Sequence, residues 1–508
     1  MTDILFGQSY FLRFDPKLWE AMQPFPPLGT LYAASYLRNR GYDVGVFDAM
    51  LAGSEEDWAS TLDRERPRLA VLYEDNFNYL SKMCLLRMRQ AALTMIDMAL
   101  KRGCTVIVGG ADATDHADLY LAHGADYILL GEGEQTLGEL VDCLSGQMPG
   151  LRQEILGLAW LEGDLVIRTP RRPDLQDLDE LPFPAWDLVD IPRYRRIWQE
   201  RHGYFAINVA TTRGCPFHCN WCAKPIWGQR YHTRSPDNVV AELKWIKDNY
   251  NPDFIWFVDD IFGLKPGWVR QFADLVEEVG VHLPFKCLSR VDLLLRPGEV
   301  EQLKRAGAHV IWVGAESGSQ VILDAMEKGT RVEQIYQATH LLRAAGIQVG
   351  FFLQFGYPGE TRQDIEKTLQ MVRMCQPDDI GMSVAYPLPG TKFFAAVREQ
   401  LGKQQNWYDS EDLAMLYRGP FPTAFYRQLH TTLHCEFRAA KVWQSLRLGK
   451  PSAGKRWRRL ARGIYYSLRL PVERWNLERL SHQSYQGIEA ISPSLSQTEA
   501  ATPTIQAE

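Results

Sequence analysis

Three cysteines, Cys215, Cys219 and Cys222, crowd into the run GCPFHCNWC with the spacing C-x3-C-x2-C. Thiolates so close along a chain, separated by Pro216, His218 and Asn220, suit metal binding better than packing, because the intervening residues are poor core formers. A structural zinc ion asks for four closed ligands, and no C-x2-C partner stands elsewhere in the sequence. Three thiolates on a four-iron cluster leave one iron open to a ligand that is not protein. Further groups able to do chemistry follow: Asp259-Asp260, Ser289-Arg290-Val291-Asp292, Gly314-Ala315-Glu316-Ser317-Gly318-Ser319, Gly356-Tyr357-Pro358-Gly359-Glu360-Thr361 and Tyr386-Pro387-Leu388-Pro389-Gly390-Thr391. An earlier set is rich in glycine: Pro26-Pro27-Leu28-Gly29-Thr30, Gly109-Gly110-Ala111-Asp112-Ala113-Thr114 and Gly131-Glu132-Gly133-Glu134.

These groups need strands to hold them. Short apolar runs at Ile4 to Phe6, Val44 to Phe47, Leu69 to Tyr73, Thr105 to Val108 and Tyr127 to Leu130 alternate with helical patterns, which predicts a parallel, helix-covered sheet over residues 1–145. Residues 146–200 are Pro-rich and charged, with one hairpin expected at Glu162-Gly163-Asp164, and read as a linker packed between domains. The alternation resumes with strands expected at Ala206 to Ala210, Phe254 to Val258, Phe285 to Leu288, Val310 to Val313, Gln348 to Leu353 and Ile380 to Val384. Six such units over 201–400 predict a partial (β/α)6 barrel of the TIM type, whose chemistry sits at the C-terminal strand ends. Each motif after residue 200 falls at one of those ends.

The cysteine spacing, together with the order of the strand-end motifs over roughly residues 200–395, resembles the radical S-adenosylmethionine (radical SAM) superfamily. The resemblance implies a [4Fe-4S] cluster on Cys215, Cys219 and Cys222 whose open iron is chelated by the amine and carboxylate of SAM. It implies reductive cleavage of SAM to methionine and a 5'-deoxyadenosyl radical, in a site that holds SAM rigidly and excludes water. Trp221 occupies the hydrophobic position that lies beside adenine in this superfamily; the other reading is a core tryptophan. Asp259 and Asp260 are candidates to accept from the SAM ammonium, and Glu316 with Ser317 to hold the ribose hydroxyls. Alternatively, Asp260 or Asp292 only caps the following helix. Gly356, Pro358 and Gly359 make a turn that lets backbone approach the nucleoside.

The earlier glycine loops follow parallel strands, where backbone amides reach a phosphate or a flat ring at the sheet's carboxyl edge. They resemble the cobalamin-binding domain of the B12-dependent radical SAM class, which includes the anaerobic magnesium-protoporphyrin monomethyl ester cyclase and the hopanoid methylases. The linker run Leu178 to Trp186 has the same look. Pro27, Gly29, Gly109, Gly110, Thr114, Gly131, Glu132 and Gly133 are the residues this implies for cobalamin. One departure stands out. The Asp-x-His-x-x-Gly motif that supplies a lower cobalt ligand in many cobalamin domains is missing, the first histidine being His116, and relatives often carry Pro-His where this chain has Ala111-Asp112. The resemblance then implies cobalt held without a protein imidazole, against the alternative of a Rossmann-like domain that binds no cofactor.

Hydrophobic residues are 46% and charged residues 23% of the 508, values of a folded globular chain. A net charge of -6 argues against a chain-wide nucleic-acid surface. Nine scattered cysteines suit a reducing cytoplasm better than a disulfide framework. No leader pattern opens the chain, and no apolar run approaches the roughly 20 residues needed to span a bilayer. Between Arg438 and Leu480, however, twelve Lys or Arg face only Glu473 and Glu478. There Trp457, Leu460, Ala461, Ile464, Tyr465 and Leu468 recur at helical spacing among Arg458, Arg459, Arg462 and Arg469, predicting a basic amphipathic helix stopped by Pro471. It packs on the barrel, or lies through residues 455–469 on an anionic membrane, or, least in keeping with its composition, binds RNA.

The expectation is therefore an α/β protein: an N-terminal Rossmann-like, flavodoxin-like cobalamin domain, a radical SAM half-barrel, a helical region over 401–480 and a disordered tail over 481–508. The resemblance implies [4Fe-4S], SAM and cobalamin as cofactors, a flavodoxin or ferredoxin as reductant, and a small, apolar substrate methylated at an unactivated carbon. Radical oxidation or cyclisation of a porphyrin-like substrate is the alternative. A tRNA methylthiotransferase would need a second cysteine set, and Cys84, Cys104 and Cys143 lack its spacing. No nucleic-acid partner is expected, and the location expected is the cytoplasm, with the membrane reading adding the inner membrane face.

Overall fold

The computed structural model describes residues 2–147, 152–222, 226–403, 405–447 and 453–481. The tail expected after residue 481 lies outside the described residues, as do the side chains of 453–456, Lys455 among them.

The first sheet runs β1 (Ile4–Gly7), β2 (Val44–Val46), β3 (Leu69–Tyr73), β4 (Thr105–Gly109), β5 (Tyr127–Leu129), β6 (Leu158–Glu162) and β7 (Leu165–Arg168), in spatial order β2-β1-β3-β4-β5-β6-β7. The first five strands are parallel, and β6 joins β5 antiparallel. β3 (LAVLY) is buried at every position, as expected for a parallel strand covered on both faces. Helices cover both faces through two separate apolar clusters, one around Trp58 and Met95, the other around Leu37 and Leu140. The expected hairpin at Glu162-Gly163-Asp164 is thus part of this sheet, which reaches past residue 145 because β6 pairs with the exposed edge of β5.

Barrel strands β8 (Ala206–Val209), β11 (Phe254–Phe257), β12 (Phe285–Ser289), β13 (Ala308–Glu316), β14 (Gln348–Phe355) and β15 (Asp379–Val384) make a six-stranded sheet in chain order, every pair parallel and the ends unjoined. Between β8 and β11, a small antiparallel pair, β9 (Thr212–Arg213) with β10 (His232–Thr233), flanks the cysteine loop. One continuous core joins the two domains, running from Leu28, Leu31 and Tyr32 through Trp186, Tyr194 and Trp198 into the barrel. The connecting segment is cemented by polar contacts as well: Trp198 Nε1 donates to Pro24 O at 2.7 Å, and Tyr194 OH to Asp48 Oδ2 at 2.8 Å.

Two long helices, Thr423–Arg447 and Ala453–Ser481, close the chain. Pro471 does not stop the second. A proline inside a helix costs about 3 kcal/mol, but packing beyond it holds the helix on: Gln428 Nε2 donates to Glu473 Oε2 at 2.6 Å, Arg474 pairs with Glu436, and Leu477 is buried in the main core.

Candidate active site between the two domains

β8 ends at Val209, and the next residues are held before the cysteines begin. The Asp259 carboxylate, buried at the end of β11, accepts from Thr211 N at 2.7 Å, Thr212 N at 2.8 Å and Thr211 Oγ1 at 2.6 Å. Burial pushes its pKa up to about 6 against those donors. Gly214, at φ 77°, then turns the chain where a Cβ would lie 2.4 Å from the Arg230 carbonyl oxygen. Cys215 and Cys219 are buried and Cys222 half-buried. Between them Asn220 anchors the loop to three other segments. Its N–H donates to Met326 O at 3.1 Å and its Nδ2 to Ala325 O at 2.8 Å; its Oδ1 accepts from Tyr357 OH at 2.9 Å, and its carbonyl from Phe393 N at 3.0 Å. Such bonds contribute about 0.5–1.5 kcal/mol each. Asn220→Ala is accordingly expected to lower the iron retained after reconstitution while leaving the circular dichroism of the barrel unchanged; wild-type retention would reduce Asn220 to an incidental contact.

Cations gather beside the thiols. Arg290, at the end of β12, places Nη1 3.9 Å from Cys219 Sγ, stacks 3.6 Å over the Phe217 ring, and donates to Lys328 O at 3.0 Å. Lys328 pairs with Glu316 at 2.8 Å, both side chains buried. Burial pulls the Lys328 pKa down, but Glu316 and Cys219 more than reverse it. Glu316 sits at φ 56°, at a register shift at the end of β13. Left-handed backbone in a non-glycine residue is the kind of strain that collects at functional sites. Gly314 leaves it room, since a Cβ there would lie 2.5 Å from Glu316 Oε1 and 2.6 Å from Lys328 Nζ.

Several expected roles change in this setting. Asp259 is occupied by backbone donors and holds the start of the cysteine loop, so it does not present a free carboxylate to an ammonium. Asp260 is tied to Lys82 of the N-terminal domain at 2.7 Å. Asp292 pairs with Arg290 at 3.0 Å and is not a helix cap. Ser317 is fully buried and faces Thr368 Oγ1 and Ser319 N, which removes it from any ribose. Glu316 and Trp221 stay at the site: Trp221 packs against the apolar cluster that includes Met326 and Phe393, its buried indole N–H has no partner among the described residues, and Lys328 Nζ lies 5.8 Å from its ring. Gly356, at φ 78°, donates its N–H to buried Glu360 at 2.6 Å and shapes the turn that carries Pro358 and Tyr357.

On the facing domain, Pro27 and Gly29 open the helix Leu28–Asn39, Gly109 ends β4 with Gly110 and Thr114 after it, and Gly131, Glu132 and Gly133 follow β5, so all lie at one sheet edge. Most of the glycines answer protein contacts. A Cβ on Gly110 would lie 2.7 Å from the Glu74 side chain, on Gly133 2.9 Å from the Tyr73 ring, and on Gly29 3.2 Å from Asn76 N. Gly29 also donates its N–H to Asp75, and Thr114 Oγ1 accepts from Gly131 N at 3.1 Å, bridging two loops. What these residues supply is a flat, close-packed edge. The sequence did not single out Glu74 and Asp75, buried behind that edge, nor Arg213. Arg213 crosses from the cysteine loop to pair with both Glu132 and Glu134, Arg213 and Glu134 buried and the Glu132 side chain nearly so. Burial alone would lower its pKa, but the two glutamates raise it.

The inner face of the half-barrel is aromatic. Trp312 lies against Phe352, ring centres 4.7 Å apart, and over Gly350, where a Cβ would lie 2.3 Å from the indole. Phe352 is 38% exposed. Lys286, 4.2 Å from the centre of the Trp256 ring, has its pKa brought down to about 8 by burial.

A parallel sheet edge facing a three-cysteine loop on a half-barrel defines a two-cofactor radical enzyme, and comparison with known proteins agrees. The radical SAM superfamily model matches residues 209–372 and the B12 binding domain model residues 20–141. The chain belongs to the B12-binding radical SAM proteins, whose cofactors are [4Fe-4S], SAM and cobalamin. It is 28% identical over 389 residues to an uncharacterised methyltransferase of Pyrococcus horikoshii, covering 75% of this chain and 81% of that one. It is 27% identical to the hopanoid C-3 methylase of Methylococcus capsulatus, covering 83% and 78%. The anaerobic magnesium-protoporphyrin IX monomethyl ester cyclase of Cereibacter sphaeroides is 29% identical over 74% of this chain, which spans 61% of that protein's length. Among solved structures, the fold is shared with the cobalamin-dependent radical SAM enzyme OxsB (TM-score 0.69, 16% identity, 94% of this chain and 72% of that one). It is shared too with the methyltransferase TsrM of Kitasatospora setae (TM-score 0.64, 18% identity, 79% and 75%).

The residues present fit these groups. Among the described residues no three His, Cys, Asp or Glu side chains converge as on a single ion, whereas a cluster spreads its thiolates over separate irons, and Arg290 and Lys328 offset its negative charge. At the N-terminal edge, the buried hydroxyl of Ser81, after β3, has no partner among the described residues, as suits a ligand with many amide groups.

Proposed function

We propose that this protein is a cobalamin-dependent radical SAM C-methyltransferase acting on an unactivated carbon of an apolar substrate. The observation that carries the reading is the pair of bridges, Arg213 to Glu132 and Glu134 and Lys82 to Asp260, which hold the sheet edge of one domain against the cysteine loop of the other. When bound, the cluster with SAM supplies hydrogen abstraction and methylcobalamin supplies the methyl group. The chain's own residues do the positioning. Cys215, Cys219 and Cys222 hold the cluster, Asn220 and Asp259 keep their loop in place, Trp221 and the Gly356 turn flank the nucleoside, and the Glu316 and Lys328 pair offers one acceptor and one donor beside it.

The apolar substrate is supported by Trp312, Phe352 and Trp256 on the inner face of the barrel, where a flat or aliphatic ligand buries surface against rings. A flavodoxin or ferredoxin supplies the electrons. Incubation with SAM carrying a labelled methyl group, followed by product analysis, is expected to place that label on carbon of an apolar product. An oxidised or cyclised product without label would instead assign the chemistry named for the Cereibacter relative.

A further inference from the structure

The helix Ala453–Ser481 packs on Thr423–Arg447 by one face only. Gly463 lies where a Cβ would be 3.0 Å from Val442, Trp443 Nε1 donates to Ser467 Oγ at 2.9 Å, and Glu473 and Leu477 are buried. The opposite face carries its apolar residues into solvent: Trp457 is 74% exposed, Leu468 73% and Trp475 63%, with Ile464, Tyr465 and Val472 also exposed between them. Trp457, Ile464, Leu468 and Trp475 stand at i, i+7, i+11 and i+18, which returns each to nearly the same line along a stripe about 27 Å long. Neither a barrel-packed amphipathic helix nor an ordinary solvated one accounts for this, because the apolar stripe is the side that the fold leaves uncovered.

Charge decides what covers it. Arg458, Arg459 and Arg462 are exposed and, among the described residues, face no carboxylate within ion-pair distance, whereas Arg469 and Arg474 are paired with Glu473 and Glu436. An aliphatic line with tryptophan at both ends, with Arg458 about 100° round the helix from it and Arg462 and Arg459 farther round, matches a membrane interface, where rings sit at headgroup depth and long guanidinium side chains reach lipid phosphates. No described helix is long and apolar enough to cross a bilayer, so the contact lies in the plane of the surface. We infer that residues 457–475 form a docking surface for an anionic lipid bilayer. It goes beyond the proposed reaction and stands or falls without it.

Sedimentation of the full, cluster-reconstituted chain with phosphatidylcholine vesicles, with and without phosphatidylglycerol, tests this with no turnover involved. Binding is expected to need the anionic lipid and to weaken in high salt, the surface field being screened within a Debye length. Changing Arg458, Arg459 and Arg462 to Gln is expected to weaken binding by up to about two powers of ten. Because the stripe is solvent-facing, Trp457→Gln with Leu468→Gln should leave the fold intact and abolish what remains. Absence of binding, binding indifferent to lipid charge, or a concentration-dependent dimer that the Trp457 and Leu468 changes dissolve would each overturn the inference. So would tighter binding to RNA than to vesicles.

Discussion

Cys219→Ala protein, reconstituted with iron and sulfide under nitrogen, is expected to hold far less than the four irons of a [4Fe-4S] cluster and, after reduction, to form no 5'-deoxyadenosine from SAM. The loss should be complete because Cys219 is the thiol that the structure surrounds with compensating charge: Arg290 lies 3.9 Å away, and Lys328 is held charged partly by that sulfur. Removing it loses a ligand and leaves two buried cations facing a methyl group. Iron content, the visible spectrum and a deoxyadenosine assay read the three consequences separately. A variant that kept its iron and cleaved SAM at the wild-type rate would show that the cysteine triplet is not the cluster site.

A second large effect is expected at Arg213, where the two domains are joined. Its guanidinium spans from the residue before Gly214 to Glu132 on the loop after β5 and Glu134 at the start of the helix that follows, with all three side chains almost without solvent. Removing one partner of a buried ion pair leaves uncompensated charge and costs about 3–5 kcal/mol. Arg213→Met should therefore lower stability to urea by that order. It should also weaken uptake of hydroxocobalamin, because the Gly131 to Glu134 loop loses its tether to the cysteine loop. Adding Glu132→Gln and Glu134→Gln to Arg213→Met removes the stranded charges and is expected to restore most of the stability but not the cobalamin affinity. Full stability in the single variant would mean that water reaches the pair and that the bridge does not set the domain spacing.

Much of this protein was legible from the chain because its chemistry is local. The C-x3-C-x2-C spacing is a property of eight consecutive residues; β1 and β3, buried at every position, carry a continuous apolar signal, and the barrel strands bury one face while keeping apolar residues such as Trp312 and Phe352 on the other, so each run is legible without its neighbours. Position at a strand end followed directly. Orientation did not. Asp259 and Asp260 are adjacent in sequence, yet one turns inward to the Thr211 and Thr212 amides and the other outward to Lys82, a residue 178 positions away. The glycines at 29, 110 and 133 looked like room for a cofactor and proved to be room for Asn76, Glu74 and Tyr73. Arg213 carried no signal of its own, since its partners come from another domain. The helix 453–481 runs through Pro471 because packing beyond that residue outweighs a local preference to stop. A carboxylate, a glycine or an arginine has the same intrinsic chemistry wherever it stands; burial and the partner brought to it by chain folding decide whether that chemistry faces a ligand or is spent within the protein.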